Sequence, residues 1–396
     1  MKKLLFLLTA AAFTLTSYAA EITYTQQGEI TFSETTEWGD IDISFKKCMA
    51  NELFTFYYVK LNDKILNQTG SDNIGPFLAG GAWMGGNHPH ATFKSGNTLS
   101  VEAYVNDFEL KKGETVNADV LTIKVKNELL YSDGNIFAYE YMTYHVSGNS
   151  IEVIGEHTYE YEKNALNVNR YYGMQSMFVG ETEILTPGAP SGVWQKITNT
   201  SGDTYKIDIL KKDAPNFCTF IEHNNNGYQA SYMIREDLGN REWVKDNDIV
   251  FTGNNWSKSY HKVIGDYNVS KGMSSRWHGI YSWFDEPIKD NCRNTDQDLT
   301  FEYGATIQGK PVVMHIASSG EMTQGTTGIE DIVTDSAAVF AFAGDRKIII
   351  TDDAPEAVCV DLTGKVIAHG AGSFSCAKGV YIVNDMHGHS IKLIVK

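Results

Sequence analysis

The chain has 396 residues, of which 42% are hydrophobic and 21% charged, enough apolar material to bury a core and to exclude a wholly disordered chain. Acidic residues outnumber basic ones by 49 to 33, and a formal charge of −16 argues against nucleic acid as a partner because phosphate backbones would be repelled. The 35 glycines and 21 tyrosines against 8 prolines favour an all-β fold.

The first nineteen residues have the pattern of a secretory signal peptide. Lys2 and Lys3 precede an apolar run, and 17–19 (Ser-Tyr-Ala) supplies small residues at the −3 and −1 positions of a cleavage site. The run is shorter than the roughly 20 residues that a spanning helix needs, so we expect no transmembrane segment. We predict cleavage after Ala19, with Ala20 as the alternative, and a secreted or cell-surface protein.

Export would place the five cysteines in an oxidising compartment, but their number is far below that of a disulfide scaffold. Cys359 and Cys376 flank a predicted turn, and their pairing stays open. We expect Cys48, Cys218 and Cys292 to be small buried apolar side chains. No spacing among the five cysteines resembles a zinc or redox motif.

Alternation of apolar and polar residues predicts strands in the first part of the chain. It is clearest at 151–162, where one parity is apolar and the other mostly acidic, and 136–146 pairs with this run across a turn at 147–149. Further strands are predicted at 53–61, 99–105, 120–125, 205–210, 228–234, 299–303 and 312–316. No window shows a helical stripe, so we predict a large antiparallel β-sandwich, with a barrel as the alternative that the pattern leaves open.

Composition changes between Gly320 and Gly328. All seven tryptophans precede residue 284, and a Ser/Thr/Gly-rich stretch follows Ser318. We therefore predict a large domain at 20–320, a linker at 321–328 and a small domain at 329–396.

Two imidazoles lie in a glycine- and aromatic-rich segment that begins at Trp83. His88 and His90 share a face if the backbone between them is extended. Such a pair can act as a base with its orienting partner or bind a metal, but no third ligand has a fixed spacing, so we assign neither a metal nor a cofactor. An ordinary polar loop is the alternative.

Arginine is scarce, and two of the six arginines occur in a shared pattern, 170–173 (Arg-Tyr-Tyr-Gly) and 276–279 (Arg-Trp-His-Gly). An arginine fork binds a carboxylate or a pair of hydroxyls, and an adjacent aromatic ring can stack on a sugar. A cation–π contact that holds a strand end explains the same pattern without a ligand. His223, before an asparagine-rich turn, adds a further polar group, whereas His145, His157 and His315 share strand faces with apolar residues and are expected to pack.

The end of the chain resembles a known family. Segments 358–366 (VCVDLTGKV), 378–383 (KGVYIV) and 391–396 (IKLIVK) are similar to the C-terminal sorting domain of the Por-type secretion system of Bacteroidetes. The resemblance covers about the last 68 residues and implies a small Ig-like β-sandwich that an outer-membrane translocon recognises. An Ig-like accessory domain is the alternative.

A second resemblance covers about sixty residues, 120–178, with its long strands, its hairpin and the segment 164–174 (NALNVNRYYGM). These residues resemble the central part of galactose-mutarotase-like β-supersandwich proteins, in which a strand ends in an Asn/His-containing loop that faces the sugar. The family's His-Gly-Gly and Asn-His-x-Tyr-Phe patterns are replaced here by 87–90 (Asn-His-Pro-His) and 170–172 (Arg-Tyr-Tyr). The resemblance implies a supersandwich and a carbohydrate ligand, and its departures argue against a true epimerase of that family.

These features predict an exported surface protein that acts on polysaccharide or oligosaccharide as a lyase or an epimerase, by general acid/base chemistry. His88 or His278 would remove a ring proton and Tyr172 would handle the proton at the leaving oxygen. Arg170 or Arg276 would neutralise a uronate carboxylate. The alternative is a noncatalytic glycan-binding or adhesive surface protein.

The site residues are expected to converge on one concave face of the sandwich. The predicted catalytic residues are His88, Tyr172 and His278, and the predicted substrate-binding residues are Trp83, His90, Arg170, His223, Arg276 and Trp277. No motif of a serine hydrolase, a nucleotide site or a nicotinamide site is present.

Overall fold

The computed structural model divides the chain into two compact units, Met1–Gly325 and Thr326–Lys396. The predicted signal peptide up to residue 18, together with His88 and His90, lies outside the residues that the structure describes. Those residues are 19–48, 51–67, 77–85, 94–106, 108–178, 182–185, 195–198, 202, 204–207, 216–223, 227–234, 243–244, 249–254, 256–286, 300–307, 309–317, 322–325, 341–344, 347–350, 357–361, 365–377, 379–384 and 390–395.

Throughout this part of the chain the secondary structure is β, without an α-helix. The strands of the first unit are β1 (Ala20–Tyr24), β2 (Ile30–Thr36), β3 (Gly39–Cys48), β4 (Leu53–Leu61), β5 (Lys64–Asn67), β6 (Phe77–Ala79), β7 (Ala82–Met84), β8 (Gly96–Val105), β9 (Phe108–Leu110), β10 (Glu114–Ala118), β11 (Leu121–Leu130), β12 (Ile136–Ser147), β13 (Ser150–Tyr159), β14 (Leu166–Phe178), β15 (Thr182–Leu185), β16 (Gln195–Ile197), β17 (Thr204–Ile207), β18 (Asn216–His223), β19 (Tyr228–Ile234), β20 (Ile249–Asn254), β21 (Trp256–Val269), β22 (Ser274–Phe284), β23 (Thr300–Ile307), β24 (Lys310–Ala317) and β25 (Met322–Gly325). Those of the second unit are β26 (Ala341–Gly344), β27 (Lys347–Ile350), β28 (Val358–Asp361), β29 (Val366–His369), β30 (Gly372–Ser375), β31 (Gly379–Asn384) and β32 (Ser390–Val395).

The strands of the first unit form four antiparallel sheets. A central sheet of ten strands has the order β16-β15-β18-β19-β22-β13-β12-β11-β8-β9. The N-terminal sheet has the order β10-β1-β2-β3-β4-β5, and the flanking sheet has the order β17-β20-β21-β14-β6-β7. A cover sheet contains β23, β24 and β25. The second unit has two small sheets, β26-β27-β30 and β29-β28-β31-β32.

The prediction of an all-β, antiparallel sandwich is confirmed. Strands β4 and β19 have the predicted bounds, and β12 and β13 pair across the predicted turn, where Gly148 adopts a left-handed φ of 54°. Part of the segment predicted as a linker is instead a strand, because β25 pairs with β24 through residues 322–325.

The core lies between the central sheet and the two six-stranded sheets, which both cover its inner face. Phe45 of the N-terminal sheet meets Tyr144 of the central sheet with ring centroids 5.4 Å apart. In the flanking sheet the Tyr171 hydroxyl accepts a hydrogen bond of 2.8 Å from Nε1 of Trp277 in the central sheet. These contacts fix which parity of each central strand points inwards.

The outer face of the central sheet is only partly covered. Ala305, Val312 and Met314 of the cover sheet form a cluster with apolar side chains of β15, β18, β19 and the far end of β22. The outward side chains of β8, β11, β12, β13 and the first half of β22 lie outside this cluster. We call this region the open face.

The second unit has a small core of its own, built from β-strand side chains such as Ile348, Val383 and Val395. Cys359 is buried in that core, Cys376 packs against it, and both are free thiols in the structure.

Candidate functional site

Strand β12 shows how the sequence builds the open face. Ala138, Met142 and Tyr144 are buried against the inner layers. Residues of the other parity, among them Tyr141 and His145, face outwards and are partly exposed to solvent. This is the period of two that a half-covered strand imposes. Tyr141 is the most exposed of these side chains, at 39%.

Antiparallel register places the outward side chains in rows that cross the strands. One row contains Tyr104, Thr122, His145 and Glu152, a second contains Lys124, Thr143, Ile154 and His278, and a third contains Ser100, Lys126, Tyr141, Glu156 and Arg276. Neighbouring members of a row lie one strand apart, at about 4.8 Å. The open face is therefore a surface five strands, or about 19 Å, across.

A histidine–carboxylate cluster lies at the margin of the cover sheet. Nε2 of His278 is 2.8 Å from Oε1 of Glu152, and both side chains are nearly buried where β23 packs against β13 and β22. His145 is in register with Glu152, and its Nδ1 is 3.0 Å from the Thr122 hydroxyl.

Burial lowers the pKa of His145 below its ordinary value, and the nearby His278 and Lys124 act in the same direction, while the Glu152 carboxylate opposes them. The His145 imidazole is therefore neutral at pH 7 and able to accept a proton.

Tyrosines and cations alternate over the rest of the open face. The Lys126 ammonium lies 4.8 Å from the ring centre of Tyr139 and 5.4 Å from that of Tyr141, which is the geometry of a cation–π contact. Lys124 lies 5.4 Å from the Tyr104 ring in the same way. Such contacts hold the rings in place while leaving part of their surface exposed.

The tyrosine rows lead to a cavity beside the turn that joins β11 to β12. It has a volume of about 410 Å³, and Tyr139, Tyr161, Glu160, Lys163 and Lys271 are among its lining residues. This volume lies within the range of small-ligand pockets, about 300–1,000 Å³. The open face and this cavity share Tyr139, so they form one continuous surface.

Two of the predicted residues, Arg276 and His278, lie on the open face. Arg276 is half-buried, and its Nε is 3.5 Å from Oε1 of Glu156. Trp277, between them, points the opposite way and is fully buried. This position does not fit its predicted substrate-binding role, because alternation along β22 places the indole in the core, against Tyr171.

Trp83, Arg170 and Tyr172 form a separate cluster on the flanking sheet. The Arg170 guanidinium lies 5.5 Å from the Trp83 ring, and its Nη1 donates to the Tyr172 hydroxyl at 3.3 Å. The arginine thus makes the cation–π contact that was the alternative explanation of the pattern.

The two arginine patterns lie on opposite surfaces. Tyr171 and Trp277 meet between the flanking and central sheets, so the residues beside them in each strand, Arg170 and His278, point away from each other. The expectation of one convergent cleft fails for these residues.

His223 is also remote from the open face. It is 3% exposed and shares the inner face of β18 with Thr219, which hydrogen-bonds His261 of the flanking sheet at 3.1 Å. Burial lowers the pKa of His223 to about 4. A hydrogen bond with Gln229 raises the pKa, but its effect is smaller than that of burial. A ligand cannot reach this imidazole in the structure, so a substrate-binding role does not fit its position.

Sequence reasoning missed His145, Glu152 and the tyrosine–lysine rows. The run 136–146 was interpreted by counting tyrosines as apolar, which assigned His145 to the packed face. The neighbouring strand β11 carried the missing information: its outward parity contains Thr122, Lys124 and Lys126, and antiparallel pairing places the same parity of β12 beside them.

Among the described residues, no group of three or more histidine, cysteine or acidic side chains has the arrangement of a metal site. No helix in this part of the chain is long and apolar enough to cross a membrane.

Comparison with protein-family models and with curated proteins finds no match. Among solved structures, the chain is similar to the galactosidase domain of the alpha-galactosidase-sucrose kinase AgaSK, with 8% identity and a TM-score of 0.42 over 67% of this chain and 42% of that one. It is also similar to the GH36 alpha-galactosidase AgaB from Geobacillus stearothermophilus, with 10% identity and a TM-score of 0.41 over 67% and 41%.

A third similar structure is the heparan sulfate lyase HepC from Pedobacter heparinus, with 8% identity and a TM-score of 0.33 over 77% of this chain and 42% of that one. In each case the chain spans less than half the length of the other protein. By their names these neighbours are carbohydrate-active enzymes, but similarity this low does not assign an activity to the chain.

Proposed function

We propose that the protein is exported and that the open face binds polysaccharide or oligosaccharide. The observation that carries this proposal is the row of Lys126, Tyr141, Glu156 and Arg276, in which an exposed aromatic ring has a lysine on one side and an arginine–glutamate ion pair on the other. A tyrosine face offers an apolar surface to the ring of a sugar, and charged and amide groups around it bond to the hydroxyls.

The shape of the face favours a chain over a single sugar. In the described residues the surface is about 19 Å across, and its tyrosines lie on two strands, β8 and β12, rather than at one point. The cavity next to Tyr139 would hold one part of such a chain while the rows support the rest.

The histidine–carboxylate cluster favours a second function, that of a lyase or epimerase. In a lyase step a neutral His145 would take the proton next to a uronate carboxylate, and a protonated group would return a proton to the leaving glycosidic oxygen. In an epimerase step the proton would return to the other face of the same carbon. His278, paired with Glu152, is the nearest second imidazole and replaces Tyr172, which lies on the opposite surface.

Export follows from the signal-peptide pattern, and recognition by a secretion translocon follows from the similarity of 329–396 to the sorting domain. Both remain proposals. N-terminal sequencing of the mature protein tests the first, and the surface yield of a chain lacking 329–396 tests the second.

A glycan array with the mature chain tests the binding function. For a bound glycan, we expect Tyr141→Ala to weaken binding by about tenfold, since a stacked aromatic contributes about 1.4 kcal/mol. Thr115→Ala, at an exposed position of β10 in the N-terminal sheet, lies outside the open face, serves as the control and should leave binding unchanged. Full binding by Tyr141→Ala would refute the proposed site.

Catalysis is tested separately from binding. Incubation with each bound glycan, followed by the ultraviolet absorbance of unsaturated products, detects lyase activity. His145→Ala should lower turnover by about 10²–10⁴-fold with binding retained. Glycan binding by the native protein without any turnover would identify the noncatalytic alternative.

A further inference from the structure

A second cavity lies at the edge of the central sheet, where strand β8 meets the N-terminal sheet. Strand β9 pairs with β8 only at residues 103–105, so among the described residues the segment 98–101 pairs with β11 on one side and forms a sheet edge on the other. The cavity has a volume of about 530 Å³. It is lined by Lys46, Lys47 and Lys112 together with Tyr24, Gln27, Glu29 and Ser100, among others, and we call it the lysine groove.

The lysine groove has a positive charge in a chain whose formal charge is −16. Its three lysines face one carboxylate, Glu29, and Oε1 of that carboxylate accepts a hydrogen bond of 2.6 Å from the Ser44 hydroxyl. In 0.1 M salt, the effect of a charge is screened beyond about 10 Å. The acidic residues on distant parts of the surface therefore do not cancel the positive potential of the groove.

The groove lysines differ from others on this surface in having no ion pair to a carboxylate among the described residues. Lys94 pairs with Glu52 at 3.1 Å, Lys111 pairs with Glu109, and Lys163 pairs with Asp133 at 2.7 Å. The Lys46 ammonium instead lies 3.6 Å from the centre of the Tyr57 ring, and that of Lys112 lies 6.0 Å from the centre of the Tyr24 ring.

An ammonium held over a ring remains able to bind an anion, because the ring supplies no counter-charge of full strength. Two such groups, Lys46 and Lys112, line one cavity together with the exposed Lys47, and the three positive charges favour a ligand that brings several negative charges. The nearby Gln27 amide and Ser100 hydroxyl suit hydroxyls and ether oxygens.

The lysine groove continues the third row of the open face. Ser100 lines the groove and is the register partner of Lys126, which contacts Tyr139 and Tyr141. A chain that crosses the strands along this row, from the Arg276–Glu156 ion pair past Tyr141 and Lys126, therefore leaves the sheet at the groove.

We propose that the lysine groove binds the carboxylate or sulfate groups of an anionic polysaccharide whose chain crosses the open face. This inference rests on the proposed glycan-binding function and adds the charge class of the ligand and the direction of the chain. An acidic polypeptide would satisfy the charges, but the hydroxyl-rich surroundings and the continuity with the tyrosine row favour polysaccharide.

The test measures binding of the mature full-length chain to four probes: polygalacturonate, which carries carboxylates, dextran sulfate, uncharged dextran and polyglutamate. The triple variant Lys46→Gln/Lys47→Gln/Lys112→Gln should lose about tenfold in affinity for polygalacturonate, dextran sulfate or both, because each substitution removes an exposed ion pair with the glycan. The loss should shrink in high salt. Whichever anionic glycan is affected identifies carboxylate or sulfate as the group recognised.

Lys111→Gln is the matched control: it removes the same charge next to Lys112, but from a lysine that is already paired, and should change affinity less than twofold. If the triple variant folds poorly, Lys47→Gln alone, at an exposed position, should still weaken binding about threefold.

Unchanged binding of both anionic glycans by folded lysine variants would overturn the inference while leaving the open face untouched. Equal or tighter binding of polyglutamate would overturn it in favour of an acidic polypeptide. Loss of anionic binding in the lysine variants but not in Tyr141→Ala would retain the groove and refute the open-face site. If the native protein binds none of the three glycans, the inference about the groove fails, while the open-face proposal is decided separately by the glycan array.

Discussion

The buried His223 should make the first unit sensitive to acid. Burial lowers the pKa of this imidazole to about 4, whereas the ordinary value is 6.5. Between these two values the unfolded chain binds a proton that the folded chain excludes. The contribution of His223 to stability is therefore complete above pH 6.5 and is lost as the pH falls towards 4.

The size of the effect follows from the difference between the two pKa values. About 2.5 units, at about 1.36 kcal/mol each, correspond to about 3 kcal/mol of unfolding free energy lost across this window. That is a large fraction of the about 5–15 kcal/mol of a typical domain.

Urea unfolding followed by tryptophan fluorescence measures this loss in the right part of the chain. All seven tryptophans precede residue 284, so the fluorescence reports on the first unit alone. We compare the native protein with His223→Gln from pH 7 down to about pH 4. The variant should be less stable than the native protein at pH 7. Between pH 7 and about pH 4, however, its free energy of unfolding should decrease by about 3 kcal/mol less than that of the native protein.

His369→Gln, at an exposed position of the second unit, should follow the native curve and serves as the control. Carboxylates that titrate in the same window affect all three proteins alike, so the difference between the curves isolates His223. Parallel curves for the native protein and His223→Gln would refute the link between burial and acid sensitivity.

Two further predictions concern the core. Gly155→Ala should destabilise the first unit by about 2–4 kcal/mol in urea unfolding, because its Cβ would lie 2.3 Å from Nε1 of Trp277 and displace the indole from its hydrogen bond with Tyr171. A cost below about 0.5 kcal/mol would mean that the indole moves freely. Glu140→Leu should cost about 3 kcal/mol, because it removes one partner of a fully buried pair with His157, and Glu140→Leu/His157→Leu should recover part of that loss. Further destabilisation in the double variant would contradict this.

Strand parity could be predicted from the sequence where charge marks one face, as in β13. There the acidic parity with Glu152 and Glu156 faces outwards, and the apolar parity with His157 packs inwards. In β12 the tyrosines are compatible with either face, so only the pairing with β11 decides the orientation of His145. The type of a side chain predicts which face of the strand it occupies only if it is favourable in one environment, either buried or exposed. Tyrosine is favourable in both, so it does not predict the face.

The grouping of site residues could not be predicted, because it depends on which sheet each strand joins. The two arginine patterns are alike over four residues, yet β14 pairs with β21 and β6 in the flanking sheet while β22 lies between β13 and β19 in the central sheet. Sheet membership is set by long-range pairing, which a local pattern does not encode.

The central sheet carries two histidine–carboxylate pairs, one on each face, and their surroundings separate structure from function. Glu140 and His157 are 0% exposed, and Asn127 donates a further hydrogen bond of 2.9 Å to Glu140, so this pair completes a buried network. The Glu152 carboxylate and the His278 imidazole are separated by a similar distance, but they lie at the margin of the cover sheet, with the half-buried His145 beside them. Residue types and distances are alike and all four side chains are nearly buried, so it is the half-buried His145 beside the outer pair that makes this pair, and not the inner one, a candidate for acid/base chemistry.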